Sequence, residues 1–160
     1  MNTNLLRLSL SLILIAISAS FALADDSKKT TVADAAVTKI TILGTDQMKF
    51  NLSEIKVKKG AKIELTMKHD GKLPVNVMGH NFVLLKQGVD LAKFAMEAMK
   101  GKDSGYVLPS QIKDVIAKTD LVGGGASTTI TFDAPAPGTY DFLCTFPGHY
   151  AMMKGKFIVE

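Results

Sequence analysis

The sequence predicts an all-β fold, an antiparallel sandwich or barrel interrupted by one α-helix. Short runs rich in β-branched and apolar residues alternate with turn residues from Val37 to the C-terminus, which is the pattern of antiparallel strands. Only the stretch from Val89 to Met99 switches to helical spacing. The longest apolar run, Leu8 to Phe21, stands apart at the start of the chain and belongs to neither pattern.

That opening segment has its own logic. Arg7 supplies a minimal positive charge before the apolar run, and Ala22-Leu23-Ala24 places small residues before Asp25-Asp26. These are the parts of a secretory signal peptide cut after Ala24. The interval between Arg7 and Asp25 falls short of the roughly 20 apolar residues of a spanning helix, so no stable membrane insertion is expected after cleavage. No cysteine follows the run and no twin-arginine pair precedes it, which argues against a lipid anchor and for export of the unfolded chain. The expected organisation is a signal peptide over 1–24, a polar leader over 25–36 and one domain over 37–160.

Without residues 1–24 the chain keeps 18 lysines against 15 acidic residues, a net charge of +3, and no arginine. Nucleic-acid recognition is disfavoured, because bidentate contacts to bases and phosphates call for arginine. Cys144 is the one cysteine, so no internal disulfide can form, and a lone thiol in an exported protein needs a reason to survive.

Taken in order, the expected strands are Val37 to Leu43, Met48 to Asn51, Glu54 to Lys56, and Lys62 to His69, the last with Ile63, Leu65 and Met67 on one face. Phe82 to Leu85, Ser127 to Phe132, Thr139 to Cys144 and Met153 to Val159 follow. Turns are marked by Lys59-Gly60, Asp70-Gly71, Gly123-Gly124-Gly125 and Pro135-Ala136-Pro137-Gly138. In the helix, Leu91, Phe94, Ala95, Ala98 and Met99 recur at helical spacing and Gly101 ends the run. Its methionines, Met96 and Met99, are expected to pack rather than to bind metal.

The chemistry concentrates near the C-terminus. Cys144-Thr145-Phe146-Pro147-Gly148-His149-Tyr150-Ala151-Met152-Met153 sets a thiol, an imidazole and a thioether on one loop, with a Pro-Gly turn to bring them together. A second imidazole, His80, lies upstream behind Met78-Gly79. Two imidazoles, one thiolate and a weak thioether form the ligand set of a blue-copper electron-transfer site. Cu(I) favours soft sulfur and Cu(II) accepts nitrogen, so a set between these limits rearranges little when an electron moves. Zinc is the rival metal, although structural zinc sites collect four Cys or His ligands and zinc enzymes do not normally use Met. Cys144 acting as a nucleophile with His149 as its base is the enzymatic alternative.

The two segments Asn76-Val77-Met78-Gly79-His80-Asn81 and Cys144-Thr145-Phe146-Pro147-Gly148-His149, followed by Met153, resemble the copper loops of the azurin family of blue copper proteins, within the cupredoxins. Asp46-Gln47-Met48, Leu73-Pro74 and Thr131-Phe132-Asp133 extend the likeness along the chain. The resemblance implies an eight-stranded Greek-key β-sandwich with the helix as a flap on its side. It also implies one type 1 copper ion held by His80, Cys144, His149 and Met153, with the Gly79 carbonyl as a weak axial ligand. Backbone N–H groups of Asn81 and Phe146 would bond the Cys144 sulfur and tune the site. His69 matches a histidine that titrates in some azurins without binding metal, and reads equally well as an exposed loop residue. Two features depart from the family pattern: Ala61 stands at one position of a disulfide that azurins usually carry, and Phe82 stands where azurins often bury a tryptophan. A divergent azurin-like or auracyanin-like member is the expectation.

The function implied is a soluble, periplasmic carrier that shuttles single electrons by Cu(II)/Cu(I) cycling, and not an enzyme. Its partners would be c-type cytochromes or copper enzymes, docking briefly at an apolar surface of Met48, Leu73, Met78, Phe146, Pro147 and Met152 around His149. Copper delivery or storage is the competing class. A chaperone would show a Met- or His-rich tract with open ligands, and none is present.

Overall fold

Two β-sheets face each other across a core drawn from alternate residues of their strands. The computed structural model describes residues 37–160, so the expected signal peptide and leader lie outside the described residues. In chain order the strands are β1 (Val37–Gly44), β2 (Glu54–Val57), β3 (Lys62–His69), β4 (Val83–Leu85), β5 (Val115–Lys118), β6 (Ser127–Asp133), β7 (Gly138–Leu143) and β8 (Lys154–Val159). One sheet has the order β1-β3-β6 and the other β2-β8-β7-β4-β5. Consecutive strands repeatedly change sheets, which gives the expected eight-stranded Greek-key sandwich.

The expectation of purely antiparallel pairing is corrected. β1 runs parallel to β3, with Ile40 opposite Leu65, and β2 runs parallel to β8, with Ile55 opposite Phe157. Each of these neighbours is reached by a crossover through the other sheet, and a crossover is what permits parallel pairing.

The period of two predicts the core correctly. Ile63, Leu65 and Met67 on β3 are fully buried, and they meet Phe82, Leu84, Phe142 and Phe157 from the opposite sheet in one cluster. Phe82 fills the position noted as unusual, 5.2 Å from the Phe142 ring. β4 is buried at every residue, because one face joins this core and the other, through Val83 and Leu85, lies under a helix.

That helix, α2, follows a one-turn α1 (Val75–Met78) in the chain and covers Leu91–Ala98. It starts where the Asp90 carboxylate accepts a hydrogen bond from the Lys93 N–H at 3.0 Å. Phe94, Ala95 and Ala98 pack inward. Met96 and Met99 are instead 56% and 41% exposed, which corrects the reading of them as packing residues. The shorter helix presents a narrower apolar stripe than the Val89–Met99 pattern promised.

Two local expectations also change. Met48 to Asn51 is not a strand: the chain turns over Thr45 to Met48, where Met48 adopts a φ of 55°, and only Phe50 bridges back to Gly44. The Asn51 side chain accepts from the Leu43 N–H at 2.7 Å, so it competes with a ladder. Conversely, β5 lies outside the expected strands. Its four residues carry little periodicity, and they extend the sheet by pairing with β4.

Candidate metal centre

β7 and β8 form a hairpin whose last ladder pair is Leu143 and Lys154. One step beyond, the Cys144 N–H donates to the Met153 carbonyl at 2.9 Å. The thiol and the thioether are thereby brought to the mouth of the same hairpin. Between them, Phe146-Pro147-Gly148-His149 is a tight turn closed by the His149 N–H to the Phe146 carbonyl at 3.0 Å. Gly148 takes φ 81° and ψ −15°. That is the third position of a type II turn, where the left-handed backbone favours glycine and proline suits the position before it. His149 then leads a short 3-10 turn that ends before Met152.

His80 arrives from the other side. After α1, Gly79 passes so close to Leu121 and the Val75 carbonyl that a Cβ would lie 2.5 Å from that oxygen. His80 is then pinned by reciprocal backbone bonds of 2.9 Å to Val122. The Asn81 side chain joins the two ligand-bearing loops: its Oδ1 accepts from the Thr145 N–H at 2.9 Å. Its Nδ2 donates to the Thr145 hydroxyl at 2.8 Å and to the Gly105 carbonyl at 3.2 Å.

His80, Cys144 and His149 therefore converge, with their potential ligand atoms all within 4.8 Å of one another. The Cys144 Sγ lies 4.0 Å from His80 Nδ1 and 3.6 Å from His149 Nδ1. Ligands about 2.0–2.3 Å from a shared ion and about 120° apart stand roughly 3.7 Å from each other, so these donors suit one metal ion. The Gly79 carbonyl is 3.9 Å from Sγ, and Met153 is fully buried beside Cys144, Phe146 and Tyr106. His80 Nε2 faces the Thr45 carbonyl at 3.0 Å. With Nε2 donating its proton there, Nδ1 keeps its lone pair toward the centre of the cluster.

Electrostatics match this arrangement. Burial pulls His80 from 6.5 down to about 4, reinforced by nearby His69 and opposed by the Thr45 carbonyl. Burial, and then His69, does the same to His149, again to about 4. Both imidazoles are therefore neutral near pH 7 with a lone pair to give. Burial pushes the Cys144 thiol from 9.0 up to about 12, opposed in part by the backbone N–H groups of Asn81 and Phe146. A protonated, fully buried thiol is a poor nucleophile, since reactive cysteines are accessible and acidic. Cys144 thus lacks the access that a nucleophile paired with His149 would need. Binding a cation at the cluster would displace the thiol proton and compensate the buried thiolate.

His69, the remaining histidine, is buried and not an exposed loop residue. Its Nε2 lies 3.0 Å from Asp46 Oδ1, and its ring stands edge-on to His80 with centroids 4.4 Å apart. The sequence offered no sign of the Asn81 and Asp46 side-chain contacts, because each joins segments far apart in the chain. Nor did it signal Tyr106, whose ring packs edge-on against Phe146 at 5.2 Å.

A Greek-key sandwich that buries two imidazoles and one thiol between the loops at one end defines a copper-binding cupredoxin. Residues 36–160 match the model of the copper-binding proteins of the plastocyanin/azurin family. The chain is 42% identical over 127 residues to the azurin of Pseudomonas chlororaphis, a match covering 76% of this chain and 98% of that protein. Among solved structures it resembles dithionite-reduced auracyanin from Roseiflexus castenholzii, with 38% identity, a TM-score of 0.69 and coverage of 77% and 97% of the two chains. It also resembles auracyanin A, a blue copper protein of Chloroflexus aurantiacus, with 30% identity, a TM-score of 0.71 and coverage of 78% and 100%. The chain belongs to the plastocyanin/azurin family of copper-binding proteins, and its one His–Cys–His cluster among the described residues provides for one copper ion.

Proposed function

We propose that the protein is an exported carrier of single electrons whose copper would be held by His80, Cys144 and His149, with Met153 and the Gly79 carbonyl as weaker donors. The observation that carries this reading is a donor set of one soft thiol and two imidazoles, all buried and within 4.8 Å of one another. Copper supplies the redox chemistry by alternating between Cu(II) and Cu(I), and the chain does the rest. The Asn81–Thr145 clamp and the His80–Thr45 bond hold the donors in place, so little reorganisation accompanies a change of charge. The buried cluster keeps water away from the thiolate, while His149 remains close enough to the surface to keep 3% of its area exposed.

Of the residues expected to surround that imidazole, Met48, Leu73 and Met152 are exposed, Met152 at 55%. Met78 and Pro147 are half-buried. Phe146, expected in the same surface, is buried, its ring tilted against His149 with centroids 4.7 Å apart. Val75 and Val77 on α1 are exposed as well. We assign this patch to brief docking with c-type cytochromes or copper enzymes, since apolar groups around a ligand edge allow close approach without a lasting complex. A copper enzyme would need a second metal with an open position. The one other histidine of the described residues, His69, is committed to Asp46.

Export to the periplasm rests on the signal-peptide pattern of residues 1–24, and N-terminal sequencing of the protein from a periplasmic fraction should begin at Asp25. Cu(II) added to the mature protein should give an intense visible thiolate-to-copper band and a narrow copper hyperfine splitting, both lost in Cys144→Ser. A colourless copper complex of the wild type would overturn the site.

A further inference from the structure

The Asp46 carboxylate makes three contacts that tie together two loops and a buried ring. Its Oδ2 accepts from the Lys72 N–H at 2.8 Å, and its Oδ1 accepts from the Leu73 N–H at 3.3 Å. Oδ1 also meets His69 Nε2 at 3.0 Å. Asp46 sits inside the turn from Thr45 to Met48, which is closed by the Met48 N–H to the Thr45 carbonyl at 3.0 Å. That same carbonyl is the acceptor for His80 Nε2 at 3.0 Å. One side chain therefore tethers the turn that fixes the orientation of His80.

The packing around it is equally specific. A Cβ on Gly71 would collide with the Asp46 carboxylate and with His69 Nε2. A Cβ on Gly44 would lie 2.6 Å from the His80 ring. The His80 imidazole is thus enclosed by Gly44, the Thr45 carbonyl and the edge of His69. His69 is fully buried, and its Nδ1 has no hydrogen-bond partner. Asp46 is its sole side-chain anchor among the described residues. Without that carboxylate both ring nitrogens would be orphaned in a buried position, a condition that native structures avoid. The ring would have to turn or admit water, and the surface supporting His80 would loosen.

We propose that Asp46 is a positioning residue for the His80 ligand, joining the 45–48 turn to the 70–73 loop and holding His69 against the His80 ring so that the Thr45 carbonyl stays aimed at Nε2. This rests on the reading of His80 as a copper ligand, but its structural core can be tested without copper. In copper-free, ¹⁵N-labelled mature protein, NMR should show His80 as the single Nε2–H tautomer, with that proton protected from exchange with water. Asp46→Ala should speed the exchange about tenfold, the equivalent of about one lost hydrogen bond, and should mix the two tautomers. Asp46→Asn, which keeps the shape and one oxygen acceptor, should fall between and serves if the alanine variant does not fold. Tyr140→Phe removes a 2.7 Å bond to the Ala136 carbonyl and controls for stability alone. It should leave the His80 signals unchanged. In the Cu(I)-loaded protein, Asp46→Asn should release copper faster to a chelator than wild type does.

Unchanged His80 tautomer and exchange in both folded Asp46 variants would overturn the proposal. So would an equal acceleration in Tyr140→Phe, because it would reduce Asp46 to general stability. A wild type that binds copper without colour would overturn the copper reading, while the NMR comparison would still decide the role of Asp46.

Discussion

Acidifying the copper-free protein should unfold it by way of its own metal ligands. His80 and His149 are pulled from 6.5 to about 4 in the folded chain, whereas the unfolded chain titrates near 6.5. Below pH 6.5 the unfolded state therefore binds more protons, and stability falls with pH until the folded pKa near 4 is reached. Above 6.5 this contribution is fully present. At pH 4.5 the loss works out to roughly 2.5 kcal/mol for each imidazole, or about 5 kcal/mol for both. The pair stands 5.0 Å apart between centroids, so the second proton meets the charge of the first. The loss is a large share of the ~5–15 kcal/mol that holds a domain together. Asp46 adds nothing in this window, because the Lys72 and Leu73 N–H groups hold its carboxyl below the usual 3.8. Urea unfolding with chelator present, followed by circular dichroism from pH 7.5 to 4.5, measures the loss directly. His149→Asn should remove about half of the slope, and copper should suppress it until the ion is released. A copper-free protein equally stable at pH 7.5 and 4.5 would refute the reasoning, since the burial that makes these imidazoles good ligands would then cost nothing on protonation.

Phe82→Ala should destabilise the fold by about 3–5 kcal/mol, because its ring is fully buried against Phe142; a urea midpoint within error of wild type would deny it that place in the core. Met153→Gln should keep the protein coloured and lower its reduction potential, since an oxygen donor favours Cu(II) over Cu(I), and voltammetry showing no shift would point to a different axial group. Met78→Lys should leave the colour and potential nearly unchanged, yet slow electron self-exchange by setting like charges face to face, with partial rescue by salt. NMR line broadening in mixtures of the oxidised and reduced forms reads that rate, and exchange as fast as wild type would remove Met78 from the docking surface.

Much of the centre is legible in the chain because its chemistry is local. Cys144, His149 and Met153 fall on one loop, and a Pro-Gly turn there has few ways to fold. The strict alternation Ile63, Leu65, Met67 likewise announces a strand with one buried face. Weaker local signals misled. The apolar Met48 and Phe50 suggested a strand, but Met48 is in the left-handed region and the Asn51 side chain takes the Leu43 N–H. β5 escaped notice because four residues cannot display a period, and its existence depends on the edge that β4 presents.

By itself, then, the sequence determined which donor atoms are available, the turn that gathers three of them, and the alternating faces that make a sandwich. These depend on neighbours within a few residues. Tertiary structure decided the pairings that no local pattern encodes: β1 beside β3 in parallel, His80 delivered to a thiol 64 positions away, and the Met96 side chain left in water. It also decided the protonation states, because a pKa near 4 or 12 arises only when a ring or thiol is removed from solvent by residues contributed from distant segments.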